Sequence, residues 1–363
     1  MNCRKLAFWS SAGLIAYTHV GYPLLLLLLE RLRHPAEAER PAAGDVHTVS
    51  TIVAAYAEES VIARRVENLR ALEYPCEVIV ACDGSPDATA QQAREAGADL
   101  VLELPRGGKI RAQDAAVARA KGNFVAFSDA NVLWEPDALT KLMEPFADPS
   151  VGYVCGSVRF EGEGSNQEGL YWRYEMAIRE MESRLRSVTG GNGAIYATRR
   201  ESYLVVDPIM GHDLSFPFNL VKRGWRAVYA PDARAREKMV PSIEGEFARK
   251  RRMMSHGWPI VIRGGMLSPR GYDPLYGLMI FSHRVLRYST PFLHAVAFAT
   301  SSRRWLTVQL GVVAAALLSP LAPRKPLLVA RYYVLTTASL AAGLWDWLAR
   351  GTPAGWDAAE GTR

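Results

Sequence analysis

Three aspartates carry the residue types and spacing that point to chemistry. Asp129 opens the run Asp129-Ala130-Asn131 after an apolar stretch at residues 123–128. Its carboxylate and the amide oxygen of Asn131, two places on, suit a hard divalent cation such as Mg2+ or Mn2+. The phosphates of a nucleotide diphosphate would complete the shell. The alternative is an Asx-turn that ends a strand. Asp83 follows a second apolar stretch at residues 77–82. Asp213 lies in Gly211-His212-Asp213, at the start of an apparent helix. There it fits a general base for an acceptor hydroxyl, a role worth about 10²–10⁴ in rate. A plain first-turn acid complementing the helix dipole is the other reading. His212 is a second candidate, with Asp213 preferred.

Weaker signals accompany these. Arg106-Gly107-Gly108-Lys109 is not a P-loop, because Ile110 stands where Ser or Thr is required. Lys109 is read either as a point charge for a phosphate or as part of a surface turn. Gly190-Gly191-Asn192-Gly193-Ala194 allows close backbone approach to a ligand, or simply turns the chain. Arg249-Lys250-Arg251-Arg252 lies on a helical stretch expected to end around His256-Gly257-Trp258. A basic run of this kind is solvated or membrane-facing, or it is more specific: Arg252 on a diphosphate, Trp258 stacked on a sugar or forming a wall.

The elements that must position these groups alternate. Strand-like runs at residues 49–55, 77–82, 99–104 and 123–128 are separated by helical stretches at 58–72, 87–97 and 110–120. Ile62, Val66, Leu69 and Leu72 fall on one helical face, and Asp87 is placed to cap the next helix. This pattern implies an α/β fold with a parallel sheet covered on both faces. Ligands then collect beyond the carboxyl ends of the strands, where Asp83 and Asp129 both emerge. After the first strand comes Ala54-Ala55-Tyr56-Ala57 with no GxGxxG, which disfavours a dinucleotide enzyme.

The net charge of +6 comes without a lysine-rich tail, zinc-finger spacing or RRM signature, so no nucleic acid is expected. The surplus is assigned to juxtamembrane arginines and a phosphate-bearing substrate. Four cysteines, too far apart for a CxxC pair, read as reduced thiols. Residues 6–29 hold no charged side chain over about 24 positions, an uncleaved membrane anchor rather than a signal peptide. Residues 305–323 are a further apolar run of about 19, and 288–302 and 326–349 are weaker candidates, the last interrupted by Arg331 and Asp346. The basic residues near these runs, Arg4, Lys5, Arg31 and Arg33 among them, leave the orientation open. The expected organisation is an anchor at 1–34, a catalytic domain at 45–260, an interfacial segment with two to three spans at 261–351, and a tail at 352–363.

In order, Ala54-Ala55-Tyr56-Ala57-Glu58-Glu59, Cys82-Asp83-Gly84-Ser85-Pro86-Asp87-Ala88-Thr89, Gly107-Gly108-Lys109, Ser128-Asp129-Ala130-Asn131, Gly191-Asn192-Gly193-Ala194-Ile195-Tyr196 and His212-Asp213 resemble the family 2 glycosyltransferases. The similarity covers residues 46–260. It is greatest to the membrane-bound branch that includes cellulose, chitin and hyaluronan synthases. The resemblance implies a GT-A fold, a nucleotide-sugar donor (commonly UDP-linked), Mg2+ or Mn2+, and inversion at the anomeric carbon. It places Asp83 against the nucleoside, Asp129 and Asn131 on the metal, and Asp213 as base. Ala55, Glu58, Lys109 and Arg252 fall on the donor side, and Gly191, Asn192 and Trp258 on the acceptor side. A cytosolic donor pool implies a multi-pass protein of the cell membrane with its catalytic domain in the cytoplasm, a lipid-linked or saccharide acceptor, and contact with membrane lipids. Two departures stand out. The metal motif ends in the neutral Asn131, implying a weaker hold on the cation. Of the QxxRW segment of processive synthases only Arg252 is kept, which favours a single transfer. A catalytically inactive membrane scaffold is the alternative reading.

Overall fold

The computed structural model describes residues 2–32, 47–161, 166–238, 243–322 and 324–355. Arg33, Pro323 and residues 356–363 of the expected tail lie outside them.

The β-branched and apolar runs become strands β1 (Val49–Ala55), β2 (Glu77–Asp83), β3 (Leu100–Leu104) and β4 (Phe124–Asp129). They lie parallel in the order β3-β2-β1-β4, as strand–helix alternation requires. Ala54 stands opposite Asp129 and Ala55 opposite Cys82, so three strand ends form one rim. Asp83 and Asp129 are the last residues of their strands rather than the first beyond them.

The sheet is mixed rather than wholly parallel. It continues through β7 (Tyr196–Arg199), β6 (Val151–Glu161), β8 (Arg226–Lys238) and the two-residue β5 (Leu133–Trp134). β7 runs antiparallel to both β4 and β6, and β5 antiparallel to β8. Helices still separate the later strands, Ala138–Met143 before β6, Asn166–Leu185 before β7 and His212–Val221 before β8. β6 pairs parallel with β8, and β7 alone is inserted between β4 and β6 against their direction.

Neighbouring residues on a strand feed opposite faces of the sheet. Ile52, Phe127, Tyr153 and Tyr196 enter one core with Phe216, while Val53, Ala126, Val154 and Ala197 enter the other with Val66, Trp134 and Leu139. The first crossover helix is shorter than its periodicity suggested, Ile62–Arg70, yet Ile62, Val66, Leu69 and Leu72 are all buried.

Among the described residues, two helices are long and apolar enough to cross a membrane, Cys3–Leu32 and Lys325–Arg350. The ranking of the C-terminal candidates is reversed. The run at 305–323 forms a helix of only 16 residues, Arg303–Leu318, about 24 Å long against a hydrocarbon core of about 30 Å. The interrupted run forms 26 residues of unbroken helix. Its Asp346 is accommodated because Arg251 donates to it, Nη2 to Oδ1 at 2.6 Å. Leu24, Leu28, Val308, Leu317, Val329 and Leu348 on these helices, with Phe292 and Val296 on the helix Leu286–Thr300, are exposed, an apolar area far larger than a soluble surface normally carries. The expected domain boundary at 260 falls inside the helix Ile243–Ile262. That helix packs on Lys325–Arg350 so closely that a Cβ at Gly343 would meet Met254 Cβ at 2.6 Å.

Candidate active site

The rim formed by β1, β2 and β4 opens into a cleft of about 420 Å³. Ala55, Glu58, Asp83, Lys109, Asp129, Asn131, Gly191, Asn192, Asp213 and Arg252, scattered over nearly 200 positions of sequence (about 197), all line it.

Asp83, 4% exposed, is tied into its surroundings. It accepts from the backbone N–H of Gly107 at 2.6 Å and of Gly108 at 2.9 Å, and from Arg106 Nη1 at 3.1 Å. The Arg106 guanidinium in turn lies over the Tyr56 ring, 3.2 Å from its centroid. Gly108 has φ 97° and starts the helix Lys109–Val117, with the Ala354 carbonyl packed where a Cβ would stand. This loop aims Lys109 at the end of β4, where its ammonium forms an ion pair with Asp129. Burial works against the charge on Lys109, but Asp129, with Asp213 and Glu237 behind it, holds the ammonium above its usual range.

Asn131 lies in the turn between β4 and β5, and its amide donates to Glu237 on β8. Burial pushes the Glu237 carboxyl up to about 7. The Asp129 carboxylate adds to the shift, and Arg249, Asn131 and Lys109 oppose it. On the far side, a Cβ at Gly193 would sit 3.4 Å from Lys109 Nζ and 3.8 Å from Asp129 Oδ2, so the glycine loop abuts the ion pair.

Asp213 occupies the first turn of the helix His212–Val221. Its carbonyl accepts from Gly191 N at 2.6 Å, and the Gly191 carbonyl accepts from Arg179 Nη2 at 2.8 Å. Arg284 packs beneath Gly190 and donates to Thr189 Oγ1 at 2.9 Å. His212 faces inward, sharing a 2.8 Å hydrogen bond with the Tyr196 hydroxyl and stacked on Phe216. Burial, with the Lys109 charge adding, depresses its imidazole to about 3. So weak a proton acceptor, turned toward Tyr196, is a poor general base, which leaves Asp213 the candidate.

Two acceptor-side expectations change. Trp258 does not line the cleft: its indole is buried in the core against Tyr288 and donates to the Leu340 carbonyl at 2.9 Å. The helix continues past it to Ile262 instead of ending there, so the ring is directed into the bundle. Asn192 does line the cleft, but its side chain holds the loop together. Its nitrogen donates to the Gly156 carbonyl at 2.7 Å, and its oxygen accepts from Ile195 N at 2.9 Å.

Sequence reasoning missed Glu237, Arg179, Arg284 and the wall formed by Tyr332 and Thr336 of the last long helix. Glu237 left a signal. Ala233 and Ala235 are buried, and a period of two puts Glu237 on their face of the strand.

Residues 50–204 match the model of "Glycosyl transferase family 2". This stretch is a family 2 glycosyltransferase domain. The beta-monoglucosyldiacylglycerol synthase of Synechocystis is 29% identical over 205 residues, 52% of this chain and 43% of that one. The undecaprenyl-phosphate 4-deoxy-4-formamido-L-arabinose transferase of Pectobacterium carotovorum is 29% identical over 170 residues, 44% of this chain and 49% of that one. The chain thus matches less than half the length of each of these relatives. A solved mannosyltransferase from Pyrobaculum calidifontis, in complex with GDP-Man and Mn2+, superposes with TM-score 0.74 at 23% identity, over 93% of this chain and 98% of the other. That likeness establishes the glycosyltransferase fold of GT-A type, with its flanking helices included.

Proposed function

We propose that the chain transfers one sugar from a nucleotide-sugar donor, UDP-linked as the family resemblance implies, with inversion, to an acceptor presented by a membrane. The observation that carries this reading is the single cleft that joins Asp129, Asn131 and Asp213 at the sheet rim to Tyr332 and Thr336 on the longest apolar C-terminal helix.

A divalent cation fits the residues present. Asp129 and Asn131 offer oxygen donors of the kind Mg2+ and Mn2+ prefer, and the Lys109 ammonium already sits against Asp129 where a positive charge is called for. When bound, such an ion neutralises a diphosphate leaving group. The chain's own groups do the rest. Lys109 and Arg252 face the diphosphate from two sides of the cleft. Asp83 braces the loop that aims Lys109. Asp213 accepts the proton of an acceptor hydroxyl, anchored through its carbonyl to the glycine loop. The convergence of these groups argues against an inert scaffold.

A lipid-linked acceptor is favoured over a free saccharide by the exposed apolar helices beside the cleft. Lipid names on both sequence relatives accord with it. The proposed location is the cell membrane, several helices embedded, with the cleft on the cytoplasmic side where nucleotide sugars are made.

The test incubates membranes bearing the full chain with a panel of radiolabelled nucleotide sugars and follows label into lipid and polymer. In parallel, Mn2+ with UDP should raise the melting temperature of the purified protein, and EDTA should remove the effect. Label that stays with every donor, together with no nucleotide-dependent stabilisation, contradicts the reading.

A further inference from the structure

We propose that Glu237 supplies the second carboxylate of the divalent-cation site, replacing in space the acid that Asn131 lacks in sequence. This assignment rests on the metal-dependent reading above and extends it to a residue 108 positions from Asp129, outside every motif in the chain.

The Asp129-Ala130-Asn131 segment carries a single negative charge. A site built from it alone would hold a hard cation through one carboxylate and one neutral oxygen, whereas affinity for such ions follows the number of charged ligands. The sheet provides the missing charge. β5 pairs antiparallel with β8, with Leu133 opposite Arg236 and Trp134 opposite Ala235. One further step along this ladder brings Glu237 beside Val132, at the edge of the Asp129–Asn131 turn. The turn itself is fixed, because the buried Trp134 indole donates to the Ala194 carbonyl at 3.1 Å and ties β5 to the glycine loop.

At that position the Asn131 amide donates to the Glu237 carboxylate, while the Asp129 charge is close enough to act on it. Donating through its nitrogen, Asn131 keeps its amide oxygen as an acceptor atom. Glu237 is half-buried and lines the same cleft as Asp129. Two carboxylates held together away from bulk water repel unless a cation stands between them. The positive groups there, Lys109 and Arg249, line the same cleft on long side chains that can turn onto phosphates when a cation takes their place. A structural role alone would not need a carboxylate on the strand face otherwise occupied by Ala233 and Ala235.

The test uses the full-length protein in detergent and Mn2+ as the probe, its free concentration read by electron paramagnetic resonance with and without UDP. Glu237→Gln keeps the shape of the side chain, so its melting temperature in EDTA should equal that of the wild type. Its Mn2+ affinity should fall about 10- to 100-fold. Moving the charge back, in the double variant Asn131→Asp with Glu237→Gln, should recover most of that loss. Wild-type affinity in Glu237→Gln overturns the assignment. So does a double variant as weak as the single one, which would mean that Glu237 only shapes the turn. A wild-type protein that takes up no Mn2+ overturns the metal-dependent reading itself, and the role of Glu237 with it.

Discussion

One added methyl group tests how tightly the glycine loop is held against Asp213, the proposed base. In Gly191→Ala the new Cβ would stand 1.9 Å from Tyr153 Oη and 2.9 Å from Tyr153 Cζ. The first distance is roughly 1.5 Å short of ordinary contact. The Tyr153 ring offers no escape, being fully buried and stacked on Tyr196 at 5.7 Å. The loop must therefore move. Its N–H holds the Asp213 carbonyl at 2.6 Å, so the displacement passes directly to the base. Overpacking of this kind costs about 1–3 kcal/mol in stability, and a shift near 1 Å in a catalytic group costs about 10²-fold in turnover. The design has an internal control. The Tyr153 hydroxyl has no hydrogen-bond partner among the described residues, so Tyr153→Phe alone should be close to neutral. Combined with Gly191→Ala it leaves the smaller overlap with Cζ at 2.9 Å and should restore part of the melting temperature and turnover. Wild-type turnover in Gly191→Ala, or a double variant no better than the single, would refute the argument.

Asp213→Asn should lower sugar transfer by about 10²–10⁴ while leaving nucleotide-induced stabilisation intact, as measured by thermal shift. Asp129→Ala should lose metal-plus-nucleotide stabilisation and turnover together. Equal and mild effects from these two variants would contradict the separate roles given to them. The third prediction concerns acid. Folded His212 is held at about 3 against an ordinary value of 6.5, so below about pH 6.5 the unfolded chain binds a proton that the folded chain does not. The contribution of His212 is intact above pH 6.5 and drains away as the pH falls toward 3. In melting curves over that window, His212→Gln should show a shallower decline than the wild type. An unchanged decline would mean that the buried ring is protonated.

How much of this was legible in the sequence depends on whether the signal was local. Asp83 and Asp129 could be placed because each ends an apolar run, and parallel strands deliver such ends to one rim. The helix bearing Ile62, Val66 and Leu69 was readable from its period alone. Beyond β4 strands and helices still alternate, but the direction of β7 depends on long-range pairings that no local pattern encodes. Trp258 was misplaced because an aromatic beside a basic run looks the same whether it faces a cleft or a bundle. Its fate was decided by Tyr288 and Leu340, some 30 and 82 positions away (about 30 for the first). Asp346 weakened a helix in the sequence for the same reason: its partner Arg251 lies 95 positions upstream.

The last long helix is at once a candidate span and a wall of the cleft. Tyr332 accepts from Lys250 at 2.7 Å, and Gly343 lets the backbone of that helix touch the one bearing Arg249 and Arg252. On the proposed reading, in which this helix spans a bilayer, its 26 residues exceed an average hydrocarbon core and must tilt to fit it. Lipid chain length would then act on transfer: in thinner or thicker bilayers the tilt changes, and the basic side chains of the packed helix are carried with it.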